Sequence, residues 1–224
     1  MPIAPVGVGV HVEKRLGIIG AGKVGTTLGR LALAAGWDVL ISASPTRAMQ
    51  AMIVETMLPG ARLVPEAEVV AGSDVVVLAV PLSKIGTVDV GALSGRVVID
   101  AMNHWYPVDG AHDAVADAPS SSHWVQSLNP AMRLVKSLNH LGYHDMETDA
   151  RPAGHPERRA VAAASDDVEA RAAVAALLDD LGFDPVEVPL ADGRHLEGGG
   201  PIFGRWADAE GLTAALSRAR ERAA

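Results

Sequence analysis

Residues 16–36, LGIIGAGKVGTTLGRLALAAG, place a glycine-rich loop between a short apolar run and a stretch rich in alanine and leucine. The run is typical of a β-strand, and the stretch is typical of an α-helix that ends at a glycine. Gly20, Gly22 and Gly25 form the pattern G-x-G-x-x-G at their junction. The first glycine allows a tight turn, the second lets a pyrophosphate approach the backbone, and the third lets helix and strand pack closely. This stretch therefore predicts a Rossmann-type dinucleotide-binding loop.

The rest of the chain alternates short apolar runs with helical stretches. Strands are predicted at residues 16–19, 39–41, 62–64, 74–80, 96–100, 132–138, 159–164 and 183–189. Helices are predicted at residues 24–35, 47–58, 166–181 and 206–223, the third of them capped by Asp166 with Glu169 as its capping-box partner. This alternation favours an α/β fold with a doubly wound, mostly parallel sheet of the Rossmann type and a small C-terminal α/β extension.

Length and composition limit the classes of protein to which the chain can belong. The 224 residues are predicted to form an N-terminal extension (1–14), a dinucleotide-binding core (15–140) and a small C-terminal extension packed on the core (141–224). The chain has no cysteine, which excludes disulfides, thiolate nucleophiles and cysteine-ligated metals. Its formal charge of −8 disfavours nucleic acid as a partner. With no apolar run of membrane-spanning length and no signal-peptide pattern, we expect no membrane association and a cytoplasmic location.

The segment after the second predicted strand indicates which dinucleotide binds. An acid there accepts hydrogen bonds from the adenosine ribose and repels a 2′-phosphate. No Asp or Glu stands between Val39 and Val54, whereas Ser42, Ser44 and Arg47 offer hydrogen bonds and a positive charge. NADP is therefore favoured over NAD, although Arg47 could equally be an ordinary solvated arginine.

Two further segments follow predicted strands at the edge of the sheet where this fold binds ligands. Ala79-Val80-Pro81 ends the apolar run 74–80 and is predicted to border the nicotinamide. After residue 100 comes an irregular segment rich in histidine and aromatic residues, which is interpreted as a binding lip. Within it, His104 either hydrogen-bonds a second ligand or packs in the loop beside Trp105.

A metal site is not predicted, although the chain has 8 histidines. His140 and His144 are four residues apart and would share one face of a helix. Gly142 lies between them, they are placed in a loop, and no acid is spaced as a third ligand.

Four stretches carry a resemblance to a known family: GIIGAGKVG, SDVVVLAVP, RLVKSLN and DDVEARAAVAALLDDLGFDPVEVPLADGRHLEGG. From about residue 16 to residue 204 the chain resembles the NADP oxidoreductases that depend on coenzyme F420, an 8-hydroxy-5-deazaflavin. The resemblance implies an enzyme that passes hydride between a nicotinamide and a deazaflavin lying face to face, and it implies a homodimer. Because the cofactors carry this chemistry, no catalytic side chain is assigned.

The resemblance also implies roles for individual residues. The pyrophosphate would be held by Gly20, Gly22, Lys23, Val24 and Gly25. The 2′-phosphate would be held by Ser42, Ser44 and Arg47, and the nicotinamide would lie against Ala79, Val80 and Pro81. The second ring would be bordered by Met102, Asn103 and His104.

Two other functions remain open at this point. One is an NADP-dependent reductase of a small imine or 2-hydroxy acid built on a similar core. The other is a non-catalytic module that binds NADP(H) and senses its redox state. Dinucleotide binding without turnover of any acceptor would distinguish the second of these from either enzyme.

Overall fold

The computed structural model describes residues 14–43 and 50–223. Eight strands form one sheet in the order β3-β2-β1-β4-β5-β6-β7-β8. They are β1 (Arg15–Ile19), β2 (Asp38–Ser42), β3 (Arg62–Leu63), β4 (Val75–Leu78), β5 (Val97–Asp100), β6 (Arg133–Lys136), β7 (Ala160–Ala164) and β8 (Asp184–Val188). The order of the first six is that of the doubly wound dinucleotide-binding fold. The predicted fold class is confirmed.

All neighbouring strands run parallel except β6 and β7. Those two meet antiparallel at a single pair, Lys136 and Ala164. β7 and β8 then run parallel through five residue pairs, so the C-terminal part continues the sheet of the core. The strands on both sides of residue 140 belong to one sheet. The predicted boundary between core and C-terminal extension at that residue stays a prediction.

Helices cover both faces of the sheet. They are α1 (Lys23–Ala34), α2 (Gln50–Met57), α3 (Glu66–Gly72), α4 (Tyr106–Asp109), α5 (Asp113–Ala116), α6 (Ser121–Leu128), α7 (Tyr143–Asp149), α8 (Val168–Asp180), α9 (Gly193–Leu196) and α10 (Ala209–Ala223). Short 3₁₀ segments lie at Leu82–Thr87, Val90–Leu93 and Leu190–Asp192. Successive side chains of a strand point to opposite faces, which is why β1 serves two apolar layers. Ile18 belongs to the layer that contains Leu28 of α1, and Ile19 to the layer that contains Val69 of α3.

The predicted strands lie within a few residues of the observed ones, and the differences concern helices. Helix α3 was not predicted, because it has only seven residues and follows a proline. The segment after residue 100, predicted to be irregular, contains the three short helices α4, α5 and α6. The predicted start of α2 at residue 47 lies outside the described residues.

The predicted capping box of α8 is wrong by one residue. The N-cap is Asp167, whose carboxylate accepts the N–H of Ala170 at 2.9 Å. Asp166 accepts the N–H of Leu190 instead, at 3.0 Å. Glu169 pairs with Arg133 at 3.0 Å. Arg133 also holds Asp167, so the choice between two adjacent aspartates depends on β6, a partner distant in sequence.

Among the described residues, no helix has the length and hydropathy that crossing a bilayer requires. The predicted homodimer and the cytoplasmic location stay predictions.

Candidate functional site

The glycine loop between β1 and α1 has the geometry that its three glycines require. Gly20 has φ +118°, a conformation that side-chain-bearing residues rarely adopt, and its N–H donates to the carbonyl of Ser42 at 3.0 Å. A Cβ on Gly20 would come within 2.5 Å of the carbonyl oxygen of Ala79. A Cβ on Gly25 would meet the carbonyl oxygen of Gly20 at 2.0 Å, whereas one on Gly22 would meet nothing within 4 Å. The outer glycines therefore allow close packing, and Gly22 leaves an open face.

The N-terminus of α1 opens onto this face. Its N-cap is Gly22, which offers no side chain to bind the free N–H groups of the first turn. The first turn contains no acidic residue, and it begins with Lys23. The helix dipole and these N–H groups therefore leave an uncompensated positive potential, which is suited to an anion.

A cavity of about 610 Å³ lies beside the loop, at the carboxyl ends of β1, β4 and β5. Such a crevice is where open α/β sheets bind their ligands. The lining residues are Gly22, Lys23, Val24, Ala79, Val80, Pro81, Ala101, Met102, Asn103, Trp105, Val108, Asp109, Tyr143 and Phe203. Most of these side chains are aliphatic or aromatic, so the cavity is suited to flat, largely apolar rings.

The predicted site residues occupy different places around this cavity. Eight of them line it: Gly22, Lys23, Val24, Ala79, Val80, Pro81, Met102 and Asn103. Gly20 and Gly25 shape the loop from behind, and Ser42 is buried next to Gly20. His104 is not part of the lining, and its Nε2 lies 2.9 Å from the carbonyl oxygen of Gly110. Ser44 and Arg47 lie outside the described residues.

Two aromatic contacts form walls that the sequence analysis did not predict. The ring of Trp105 stacks on that of Phe203, with 6.4 Å between their centroids and 27° between their planes. The Nζ of Lys23 donates to the hydroxyl of Tyr143 at 3.1 Å and lies 5.0 Å from the centre of its ring. Tyr143 follows the carboxyl end of β6, a position that could have indicated it. Phe203 comes from a glycine-rich segment with no strand before it, so no local signal was available.

Asp109 is a structural carboxylate of the lip. It accepts the backbone N–H of Ser83 at 2.9 Å and that of Trp105 at 2.7 Å. Burial opposes ionisation of this carboxyl, but the two hydrogen bonds and the nearby His104 outweigh it and lower its pKa. Its oxygens are therefore charged at neutral pH and engaged with the backbone, and they fix Trp105 at the mouth of the cavity.

A buried ion pair supports the cavity from below. Lys136 of β6 and Asp100 of β5 are both 0% exposed, and the Nζ lies 3.2 Å from Oδ2. The Nζ also donates to the carbonyl of Met102, and the N–H of Met102 donates to Asp100 at 3.0 Å. Ser122 donates to the same carboxylate at 2.6 Å. Because both charges are fully hydrogen-bonded, the network holds the backbone of Met102 in one position against the cavity.

Asn103 is held by a second polar contact. Its Nδ2 donates to the carbonyl of Asn139 at 2.7 Å, and the Nδ2 of Asn139 donates to its Oδ1 at 3.0 Å. Leu138, the residue before Asn139, has φ +64°, an uncommon backbone conformation for a residue with a side chain. This turn brings Asn139 from the end of β6 to Asn103.

The two spaced histidines are separated in the structure. His140 is buried, and its Nε2 accepts the N–H of Ala162 at 3.3 Å. Burial, and then the charges of Arg159 and Lys136, lower its pKa to about 3. His144 is exposed on α7 rather than placed in a loop. In the part of the chain that the structure describes, no group of three or more His, Asp or Glu side chains could hold a metal ion.

The segment that contains the glycine loop, and the fold as a whole, are similar to known proteins. Residues 15–104 match the family model "NADP oxidoreductase coenzyme F420-dependent". The predicted resemblance is confirmed over this segment, and it supports an NAD(P)-dependent oxidoreductase. The comparison with curated proteins finds no match.

Solved structures share the fold over most of the chain. A hypothetical protein, SMa0349 from Sinorhizobium meliloti, is 25% identical, with a TM-score of 0.72 over 88% of this chain and 95% of that one. A protein from Arthrobacter sp. FB24, provisionally described as an F420-dependent NADP reductase, is 24% identical, with a TM-score of 0.65 over 81% of this chain and 87% of that one. An imine reductase variant from Myxococcus stipitatus, in complex with NAD⁺, is 14% identical, with a TM-score of 0.57 over 94% of this chain and 62% of that one.

Proposed function

We propose that the protein transfers hydride between NADP(H) and a deazaflavin of the F420 type or a similar flavin-like acceptor. The observation that carries this proposal is that the charged side chains lining the cavity are already hydrogen-bonded to other groups of the protein. Lys23 is held by Tyr143, and Asp109 is held by two backbone N–H groups. The rest of the lining is mainly apolar, which suits a reaction whose chemistry belongs to two bound rings.

The glycine loop and the N-terminus of α1 fit the pyrophosphate of NADP. The phosphate would sit over Gly22, where a Cβ would stand in open space, and would receive the first N–H groups of α1 and the charge of Lys23. The nicotinamide would lie against Ala79, Val80 and Pro81 at the carboxyl end of β4. Ser42, Ser44 and Arg47 would bind the 2′-phosphate.

The acceptor ring would occupy the other half of the cavity. Met102 and Asn103, which two hydrogen-bond networks hold in place, would border it from the sheet side. Trp105 and Phe203 form an aromatic wall at the mouth of the cavity. If both rings were bound, NADPH would supply the hydride, and the oxidised acceptor would take it together with a proton from solvent. The protein's contribution is to align the rings and exclude water between them.

A spectroscopic assay tests this proposal. Purified protein mixed with NADPH and oxidised F420 should bleach the visible absorbance of the deazaflavin, with NADPH consumed in equal amount. Flavin mononucleotide in place of F420 tests the broader class of acceptor. Tight NADPH binding without bleaching of either acceptor would contradict the proposal and favour the non-catalytic sensing module.

One observation favours a second candidate, the NADP-dependent reductase of the imine or 2-hydroxy acid class, which would reduce a small imine or form a 2-hydroxy acid from its 2-oxo acid. Reduction of a C=N or C=O bond needs a proton donor beside the hydride. The hydroxyl of Tyr143 lines the cavity and lies 3.1 Å from the Nζ of Lys23, an arrangement that could supply one.

The variant Tyr143→Phe separates the two candidates. A deazaflavin reductase should keep its turnover number within about threefold, because the ring takes its proton from solvent. A reductase that uses Tyr143 as its acid should lose about 10²–10⁴-fold in kcat. Tyr106→Phe is the matched control, since that tyrosine is 69% exposed and does not line the cavity.

A further inference from the structure

A second cavity, of about 480 Å³, lies between α10 and the segment that runs from α9 to residue 205. Four arginines, Arg194, Arg205, Arg218 and Arg222, line it together with His195. The other lining residues are glycine, proline and alanine, with no acid among them. Arg218 and Arg222 are four residues apart on α10 and so face the cavity from one side of that helix.

Within the described part of the chain, these four guanidinium groups are not neutralised. None of them forms an ion pair or a side-chain hydrogen bond with another residue of the described ranges. Arg220, their neighbour on α10, behaves differently and binds the buried carboxylate of Asp192 through its Nε at 2.9 Å. A concentration of unpaired positive charge is unexpected in a chain whose formal net charge is −8.

The environment of His195, which lines the same cavity, is a second and independent observation. Its side chain lines the cavity although the residue is only 9% exposed. Its backbone carbonyl accepts the N–H of Ile202, but its ring nitrogens have no hydrogen-bond partner among the described residues. Burial, and then the charge of Arg194, lower the pKa of this imidazole. The ring nitrogens are not among the buried atoms without a partner, so they are open to the cavity and can hydrogen-bond a ligand there.

We propose that this cavity binds a small anion that carries two or more phosphate or carboxylate groups. Guanidinium groups match both kinds of oxyanion through paired N–H bonds, and four of them around one cavity exceed what a single anionic group needs. The site is separate from the hydride-transfer cavity, because the two have no lining residue in common.

The occupant is a small molecule rather than a nucleic acid. The site is concave and of ordinary ligand size. No tryptophan, tyrosine or phenylalanine lines it, so the extended aromatic surface on which successive bases stack is missing from the lining. The net charge of the whole chain also repels an extended polyanion.

Isothermal titration with tripolyphosphate, citrate and inorganic phosphate tests the proposal. Each anion is titrated into the free protein and into protein saturated with NADPH, so that binding at the glycine loop is recognised by its loss in the saturated sample. We expect tripolyphosphate or citrate to bind in both samples, at least tenfold more tightly than inorganic phosphate. Binding of tripolyphosphate but not of citrate would assign the site to phosphates, and binding of citrate but not of tripolyphosphate would assign it to carboxylates.

Charge-reversal variants locate the binding. Arg222→Glu and Arg194→Glu should each weaken the polyanion at least tenfold and leave the affinity for NADPH unchanged. Arg62→Glu, at the exposed amino-terminal end of β3, makes the same change of charge away from the cavity. This control should change the polyanion affinity less than twofold. Circular dichroism confirms folding, and either cavity variant suffices if the other fails to fold.

Three results would overturn the proposal. One is equal polyanion affinity in the wild type and both cavity variants. Another is binding that NADPH abolishes, which would place the anion at the glycine loop. The third is binding of single-stranded DNA or heparin without binding of either small polyanion. A failure of the hydride-transfer assay has no bearing on these measurements, because the titration into free protein requires neither NADPH nor turnover.

Discussion

The two cavities of this protein use positive charge in opposite ways. Beside the glycine loop, the attraction for an anion comes from backbone N–H groups at the start of α1 and from the single cation of Lys23, while the buried charges of Lys136 and Asp100 are paired with each other. Between α9 and α10, the attraction comes from guanidinium groups with no partner among the described residues. The buried side-chain charges of the first region are therefore part of the scaffold, whereas the guanidinium groups of the second region are available to a ligand. Substitutions of the buried charged residues in the first region should reduce stability, and substitutions of the arginines in the second should mainly change ligand affinity.

The largest effect is expected at the buried pair. Lys136→Met removes the cation and leaves Asp100 charged inside the protein, which should cost about 3–5 kcal/mol in the free energy of unfolding, measured with urea. Arg30→Met is the comparison, because its pair with Glu147 is partly exposed, and it should cost no more than about 1 kcal/mol.

A second substitution tests the reason for this loss. Lys136→Met combined with Asp100→Asn should recover part of the stability, because the new side-chain amide carries no charge and can still accept the hydrogen bond from Ser122. If Lys136→Met lowered the unfolding free energy no more than Arg30→Met does, the buried pair would not support the cavity.

The glycines of the loop should separate packing from binding. Gly25→Ala places a methyl group against the carbonyl oxygen of Gly20, and such overpacking against backbone should cost about 3 kcal/mol. Gly22→Ala has open space, so its unfolding free energy should stay within about 0.5 kcal/mol of the wild type. Its affinity for NADPH should nevertheless fall at least tenfold, because the methyl group occupies the place of the pyrophosphate. Unchanged NADPH affinity in Gly22→Ala would move the pyrophosphate away from this loop.

The sequence predicted the first region much better than the second. Apolar runs bounded by glycine and proline located the strands, and G-x-G-x-x-G directly after β1 located the loop, because these signals are local. Phe203 reaches the cavity only through tertiary packing, which no spacing in the sequence reveals, whereas the position of Tyr143 after β6 is a signal that sequence analysis could have used.

The arginines of α10 illustrate the same limit. Arg218, Arg220 and Arg222 alternate along one charged stretch of sequence, but Arg220 binds buried Asp192 whereas the other two line the second cavity. Their partners across that cavity, Arg194 and Arg205, come from a distant segment of the chain. A pattern within one helix therefore cannot distinguish solvent from a facing ligand site.

His140, at the junction of β6 and the C-terminal strands, should make stability depend on pH. Its pKa of about 3 in the folded state lies below the unfolded value, so the unfolded chain binds the proton first. Stability is therefore complete above about pH 6.5 and falls with pH, by about 2 kcal/mol between pH 7 and pH 5 from this group alone.

Urea titrations at the two pH values measure this loss. His140→Gln should show a smaller loss than the wild type, whereas His144→Gln, at an exposed histidine, should match the wild type. Equal losses in all three proteins would show that the acid sensitivity arises elsewhere.

The smallest effect is expected from the unpaired arginines when no polyanion is present. Like charges around one cavity repel each other, so Arg194→Ser combined with Arg205→Ser should raise the unfolding free energy slightly, by about 0.5 kcal/mol or less, at low ionic strength. In 1 M NaCl, where the screening length is about 3 Å, the difference should vanish. Arg220→Ser should have the opposite sign, because it strips buried Asp192 of its partner. If the double variant is instead less stable at low salt, these guanidiniums are held by groups within the protein, and the contrast between the two cavities fails.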